Sequence, residues 1–269
     1  MWKTSPKMDL LPVLFLILPV TVHSAVLSES VLAHVIARFE KEAKANKVTQ
    51  EGNFAVLMVL SAPQCLGERP LEFIPNKPAE KGRESDPIIS EKAEIFLADP
   101  EANYVAVYPT GAMQSAESKL LYPPQGEGKG RASVAMRLEE LLRARGFELG
   151  CVLLFSRRLP SAPACEHGDT SCGVAPGLRH APFVTAWAGE HVGRYMAYGS
   201  VRHAKLEPEE AKAELERVSR EHFHVRRCEL QDEVAGRCQV CYAPDFCVRF
   251  SSALRVRIPG RAGKEARVF

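Results

Sequence analysis

Hydrophobic positions along the chain follow two rhythms, and the first is helical. Leu27, Val31, Val35 and Phe39 recur at helical spacing, with Glu and Lys filling the opposite face through Lys47, which predicts an amphipathic helix. The run from Phe54 to Leu60 is continuously apolar, as expected of a strand covered on both faces of a sheet. From Gln64 to Ser90 the chain fills with Pro, Gly, Lys and Glu without a period, and a long surface loop is expected. Glu94 to Leu97 and Tyr104 to Tyr108 read as short strands around a turn at Asp99-Pro100, and Pro123 to Gly130 as a second loop. Ser133 offers an N-cap to a helix with Val134, Leu138, Leu141 and Leu142 on one face, and Gly146 sits where that helix stops. Cys151 to Phe155 is another apolar strand, Pro160 to Gly177 a loop, and Phe183 to Trp187 and Tyr195 to Tyr198 further strands. Pro208, followed by Glu209 and Glu210, opens a helix whose expected inner face is Ala211, Leu215, Val218 and His222. No internal repeat occurs. An α/β sheet with helices on its faces accounts for this order of elements.

The amino terminus changes the compartment in which this domain is placed. Lys3 and Lys7 precede an apolar stretch from Leu10 to Val22, and small or permissive residues follow at Val22-His23-Ser24. This is the layout of a cleavable signal peptide over residues 1–24, with cleavage after Ser24 or Ala25. A membrane anchor is the rival reading, but the run is shorter than the roughly 18 residues that argue for spanning, and it holds two prolines. No later segment is long and apolar enough to span, so the mature chain is expected to be secreted and soluble. Of 269 residues, about 245 would remain, ample for a buried core. A formal charge of +2 gives no reason to expect nucleic acid or an anionic membrane as partner. The segment 249–269 is basic, and Leu254 to Ile258 alternates as a half-exposed strand would. It reads as a solvated basic tail or as a surface for an extracellular protein or anionic ligand.

Export decides how the cysteines are read. All eight, Cys65, Cys151, Cys165, Cys172, Cys228, Cys238, Cys241 and Cys247, follow the signal segment, and an even count in an exported chain points to disulfides. Four of them crowd into 228–247, which suggests a stapled C-terminal segment to a domain over 25–248. Pairing is not deducible. A zinc knuckle on Cys238-x-x-Cys241 is the metal alternative, and it lacks a matching second pair. Cys165, His167 and Cys172 could likewise supply three ligands, against a simple Cys165 to Cys172 bridge. No Asn-x-Ser/Thr sequon occurs.

Two segments carry a family resemblance. Gln114-Ser115-Ala116-Glu117-Ser118-Lys119 and, after the strand at Cys151, Pro160-Ser161-Ala162-Pro163-Ala164-Cys165 together resemble the zinc-dependent cytidine deaminase superfamily, in particular its secreted deaminase-like members. That superfamily presents His-x-Glu at the start of one helix and Pro-Cys with a second Cys at the start of another, each helix preceded by a strand. The resemblance implies a three-layer α/β/α sandwich with a mixed sheet and flanking helices. It also implies a site in which one His and two thiolates hold zinc, while a Glu shuttles protons for a metal-activated water. Glu117 stands at the shuttle position, Ser115 at the His ligand and Ser161 at the first Cys, while the second Cys falls on Cys165 with Cys-x-x-x-Cys spacing and on Ala164 with the commoner Cys-x-x-Cys spacing. A neutral serine hydroxyl is a poor zinc ligand. The resemblance therefore implies a deaminase-like scaffold that has lost catalytic zinc and acts as a binding protein, a pseudoenzyme without a cofactor. The alternative is an active nucleobase or nucleoside deaminase that uses zinc at an atypical site around Glu117 and Cys165. No Gly-x-Ser-x-Gly elbow, phosphate-cradling glycine loop or His-Glu-x-x-His is present. His222 and His224 read as surface or packing residues.

Overall fold

A computed structural model describes residues 26–45, 53–71, 73, 95–97, 103–108, 115–123, 132–158, 173–200, 208–231 and 234–240. The segment read as a signal peptide, the basic segment 249–269, and Ser161, Cys165, His167, Cys172, Cys241 and Cys247 lie outside these.

The apolar strand expected at Phe54 forms as β1 (Ala55–Leu60), every residue of it buried. Because side chains alternate along a strand, its residues divide between two cores. Ala55, Leu57 and Val59 join one buried cluster, and Val56, Met58 and Leu60 join the other. Both neighbours of β1 run antiparallel to it: β3 (Tyr104–Tyr108) on one side and β4 (Cys151–Arg158) on the other. β5 (Gly193–Ser200) and β6 (His224–Gln231) continue the sheet parallel to β4. The short β2 (Ile95–Leu97) and β7 (Val234–Val240) pair antiparallel at the two edges, giving the order β2-β3-β1-β4-β5-β6-β7. The chain is thus mixed α/β with an open, mixed sheet.

Helical residues cover both faces. Helix α1 (Glu29–Ala45) buries Leu32, Val35, Ile36 and Phe39 on the Val56 and Met58 face. On the other face lie Leu120 and Leu121 of α3 (Ala116–Leu121), Leu138 and Leu142 of α4 (Val134–Ala144), Val174 and Ala175 of α5 (Val174–Gly177), and Leu215 and Val218 of α6 (Pro208–Arg220). Ser133 caps α4 as expected, its hydroxyl accepting from the Met136 amide at 3.2 Å, and Gly146 ends that turn at φ 64°.

Four expectations require correction. Gln64 to Leu66, read as loop, belongs to the short helix α2 (Ala62–Leu66). Its signal was present in the sequence: Ser61 and Gln64 have capping-box spacing, and the Ser61 amide donates to Gln64 Oε1 at 3.0 Å. Val174 to Gly177, at the end of the loop read over Pro160 to Gly177, is a helical turn. Phe183 to Trp187 is a series of turns rather than a strand. There the Pro182 carbonyl accepts from the Thr185 and Trp187 amides, so the backbone bonds locally and has no ladder to join. The aromatic pair that suggested a strand packs edge to face within the turn, Phe183 on Trp187 at 5.1 Å. Finally, His222 is not on the inner face of α6. The helix stops at Arg220, His222 is exposed at φ 62°, and Phe223 enters the core instead.

Two disulfides join described cysteines. Cys65 on α2 bonds Cys151 at the start of β4, 86 positions away, and Cys228 on β6 bonds Cys238 on β7, its direct cross-strand partner. Cys238 is therefore committed to a covalent bridge, whereas a zinc knuckle with Cys241 would require its sulfur as a thiolate. No described helix is long and apolar enough to cross a membrane.

Candidate functional site around Glu117

Ser115 and Glu117 stand where β3 gives way to α3, at one end of the sheet. Ser115 has the extended backbone of an N-cap, and its hydroxyl accepts from the Ser118 amide at 3.0 Å. It also shares a hydrogen bond with Ser118 Oγ at 2.8 Å. Capping fixes the first turn of α3 and so aims Glu117 inward, leaving it 1% exposed.

A buried carboxylate needs hydrogen-bond donors, because burial strips its water. Two elements supply them. The hydroxyl of Ser156, near the end of β4, donates to Glu117 Oε1. The amide of Asn53, just before β1, donates to Oε1 at 3.2 Å and reaches Oε2 at 3.5 Å. Asn53 and Ser156 come together because β1 and β4 are antiparallel, which brings the entry to one beside the exit of the other. Asn53 Oδ1 remains buried without a partner. Neither Asn53 nor Ser156 carries a sequence motif; each belongs to the site only through strand pairing.

The donor set can be tested against the zinc that the resemblance implies. Ser115 Oγ is spent on the helix amide and on Ser118, and a neutral hydroxyl is a weak ligand. The described helix that follows β4 is α5, whose N-cap and first turn are Gly173, Val174, Ala175 and Pro176, none with a metal-ligating side chain. Among the described residues no three His, Cys, Asp or Glu are grouped to hold a metal ion. The described residues around Glu117 therefore do not fit zinc. Ser161 and Cys165 lie outside the described residues.

A second buried acid supports this end of the molecule. Glu214 of α6 lies against the start of α5, where Oε1 accepts from the Ala175 amide at 3.4 Å and Oε2 pairs with Arg217 at 3.2 Å. Tyr122, the C-cap of α3, donates to the Gly173 carbonyl at 2.6 Å, tying α3 to α5. Of the histidines weighed from sequence, His224 stacks on Tyr195 at 5.4 Å on the far face of β6, away from Glu117. Burial lowers its pKa, and Arg226 and Arg194 add to that.

Compared with family models, curated proteins and solved structures, the chain matches none.

Proposed function

We propose that the chain is a secreted protein of three-layer, deaminase-like architecture that binds a ligand or partner without zinc chemistry. One observation carries this reading: the acid at the proton-shuttle position is held by Ser156 and Asn53 while the hydroxyl at the histidine-ligand position caps a helix. A shuttle must exchange protons with a metal-bound water. Glu117 is instead hydrogen-bonded to fixed protein donors, an arrangement suited to holding α3 on the sheet and shaping one wall of a recessed site. The mixed sheet, helices on both of its faces, and an acid in the first turn of the helix after β3 accord with the architecture the resemblance implies. The signal-like segment and the two disulfides accord with export.

The test uses the mature chain purified from a secreting host. Zinc content is measured by mass spectrometry, and ammonia release is followed with cytosine, cytidine, adenosine and single-stranded DNA. The expected result is substoichiometric zinc and ammonia release equal to that of Glu117→Gln. Stoichiometric zinc with turnover that Glu117→Gln abolishes overturns the reading in favour of an active deaminase.

A further inference from the structure

One cross-strand rung of the sheet passes from β3 to β6 through Val107, Ala55, Ser156, Tyr198 and Arg227, each the register partner of the next. The rung two residues deeper runs Val105, Leu57, Leu154, Met196 and Val225, all in the core beneath α3 to α6. Residues two apart on a strand share a face, so Ser156, Tyr198 and Arg227 face the same way as that core. Within one rung the face therefore changes from wholly apolar to hydroxyl, phenol and guanidinium, toward the carboxyl ends of β4 and β5.

Tyr198 is the unresolved member. Its ring is fully buried, yet its hydroxyl has no hydrogen-bond partner. Buried phenols ordinarily find one. Ser156 does not serve, since its hydroxyl is given to Glu117. Arg227 is half-buried beside Tyr198 and near enough to pull the phenol pKa down against the upward push of burial. A donor lacking an acceptor, next to a guanidinium, suits a negatively charged oxygen. The rung lies toward the carboxyl ends of the parallel strands β4 and β5, the end of the strands at which open α/β sheets favour ligands.

We propose that Tyr198 and Arg227 form an oxyanion subsite, accepting the carboxylate or phosphate of a small ligand toward the carboxyl end of β5, beside the middle of β6. It deepens the binding function proposed above and rests on that reading's placement of a ligand at this end of the sheet. It does not depend on whether zinc is present. The phenol O–H donates to the anionic oxygen and Arg227 supplies the charge.

The experiment uses the mature, disulfide-bonded chain with inorganic phosphate and with acetate as probes, and chloride at matched ionic strength as reference. Binding is read by calorimetry and by the shift in Tm for wild type, Tyr198→Phe and Arg227→Gln. Saturable binding of at least one probe is expected, weakened about tenfold in Tyr198→Phe, as loss of a charge-assisted hydrogen bond would give. Arg227→Gln should abolish it. Phosphate alone binding identifies a phosphate ligand, acetate alone a carboxylate, and both support the shared chemistry. The proposal is overturned if neither probe binds, or if Tyr198→Phe binds as tightly as wild type. Tyr198→Phe deletes only an unpartnered hydroxyl, so its folding is not in question should Arg227→Gln fail to fold. Zinc with turnover would overturn the non-catalytic reading and leave this result standing, whereas absent anion binding removes only the subsite.

Discussion

The Ser156 hydroxyl on β4 donates to the Glu117 carboxylate in the first turn of α3, joining sheet and helix across 39 positions of chain. Ser156→Ala leaves a fully buried carboxylate with Asn53 as its remaining donor, so a loss of about 1–3 kcal/mol is expected. Glu117→Gln should cost less, because its carbonyl can still accept from Ser156. Asn53 could turn over to offer its unpartnered Oδ1 to the new amide. Urea unfolding of the two variants checks the order, and a Ser156→Ala protein as stable as wild type would refute the bond's importance.

On the opposite face, Glu40 of α1 pairs with Arg157 of β4 at 2.9 Å, both nearly buried. Burial raises the Glu40 pKa above its ordinary 4.5, and the nearby Arg157 offsets only part of that rise. The folded protein thus holds this proton more tightly than the unfolded chain does. The stabilisation is full below pH about 4.5 and is lost as pH rises through the higher folded value. Glu40→Gln should remove this component. The difference in Tm between wild type and variant, followed from pH 4 upward, should therefore move against wild type as pH rises, and a constant difference would contradict the raised pKa. Arg157→Met, which strands Glu40, is expected to cost about 3–5 kcal/mol.

Cys65–Cys151 closes a loop with a sequence separation of 86, against 10 for Cys228–Cys238. In the chain-entropy account, cross-linking distant positions restricts the unfolded state more, so the double alanine variant of the first pair should lose about 4.6 kcal/mol and that of the second about 2 kcal/mol less. Denaturation under non-reducing conditions measures both. Peptide mapping of the oxidised protein should recover 65 linked to 151 and 228 linked to 238.

Gly150 is expected to tolerate no side chain. A Cβ there would lie 2.2 Å from the Ala62 backbone nitrogen, where the chain entering β4 crosses the start of α2. Both flanking backbones are fixed by hydrogen bonds, Gly150 to the Leu60 carbonyl at 2.8 Å and Gly193 to the Gly150 carbonyl at 2.9 Å. Gly150→Ala should destabilise by about 1–3 kcal/mol or more through overpacking. Gly146→Ala meets open space and pays only for its positive φ, so the two variants compared by Tm separate clash from backbone preference.

Hydrophobic periodicity alone determined α1, β1, β3, α4, β4 and the apolar face of α6, because each of these buries a long run of side chains whose spacing is local. The cap at Ser133 and the stop at Gly146 were legible for the same reason: a cap is made by residues three or four apart. Periodicity misled at Phe183 to Trp187, where local turn bonds from the Pro182 carbonyl outcompete a strand, and at His222, where the helix ends two residues early. It also passed over α2, although Ser61 and Gln64 carried the signal. At the site, the sequence singled out Ser115 and Glu117, but could not supply Asn53, Ser156, Tyr198 or Arg227. Those four lie on separate elements and meet through the antiparallel register of β1 with β4 and the parallel register of β4, β5 and β6. Register is a property of paired strands, fixed by which faces are buried, and no single segment encodes it. The identity of the acid was written in the chain; its hydrogen-bond donors, the cysteine that Cys65 meets, and the polar rung beside it were decided only by the folded sheet.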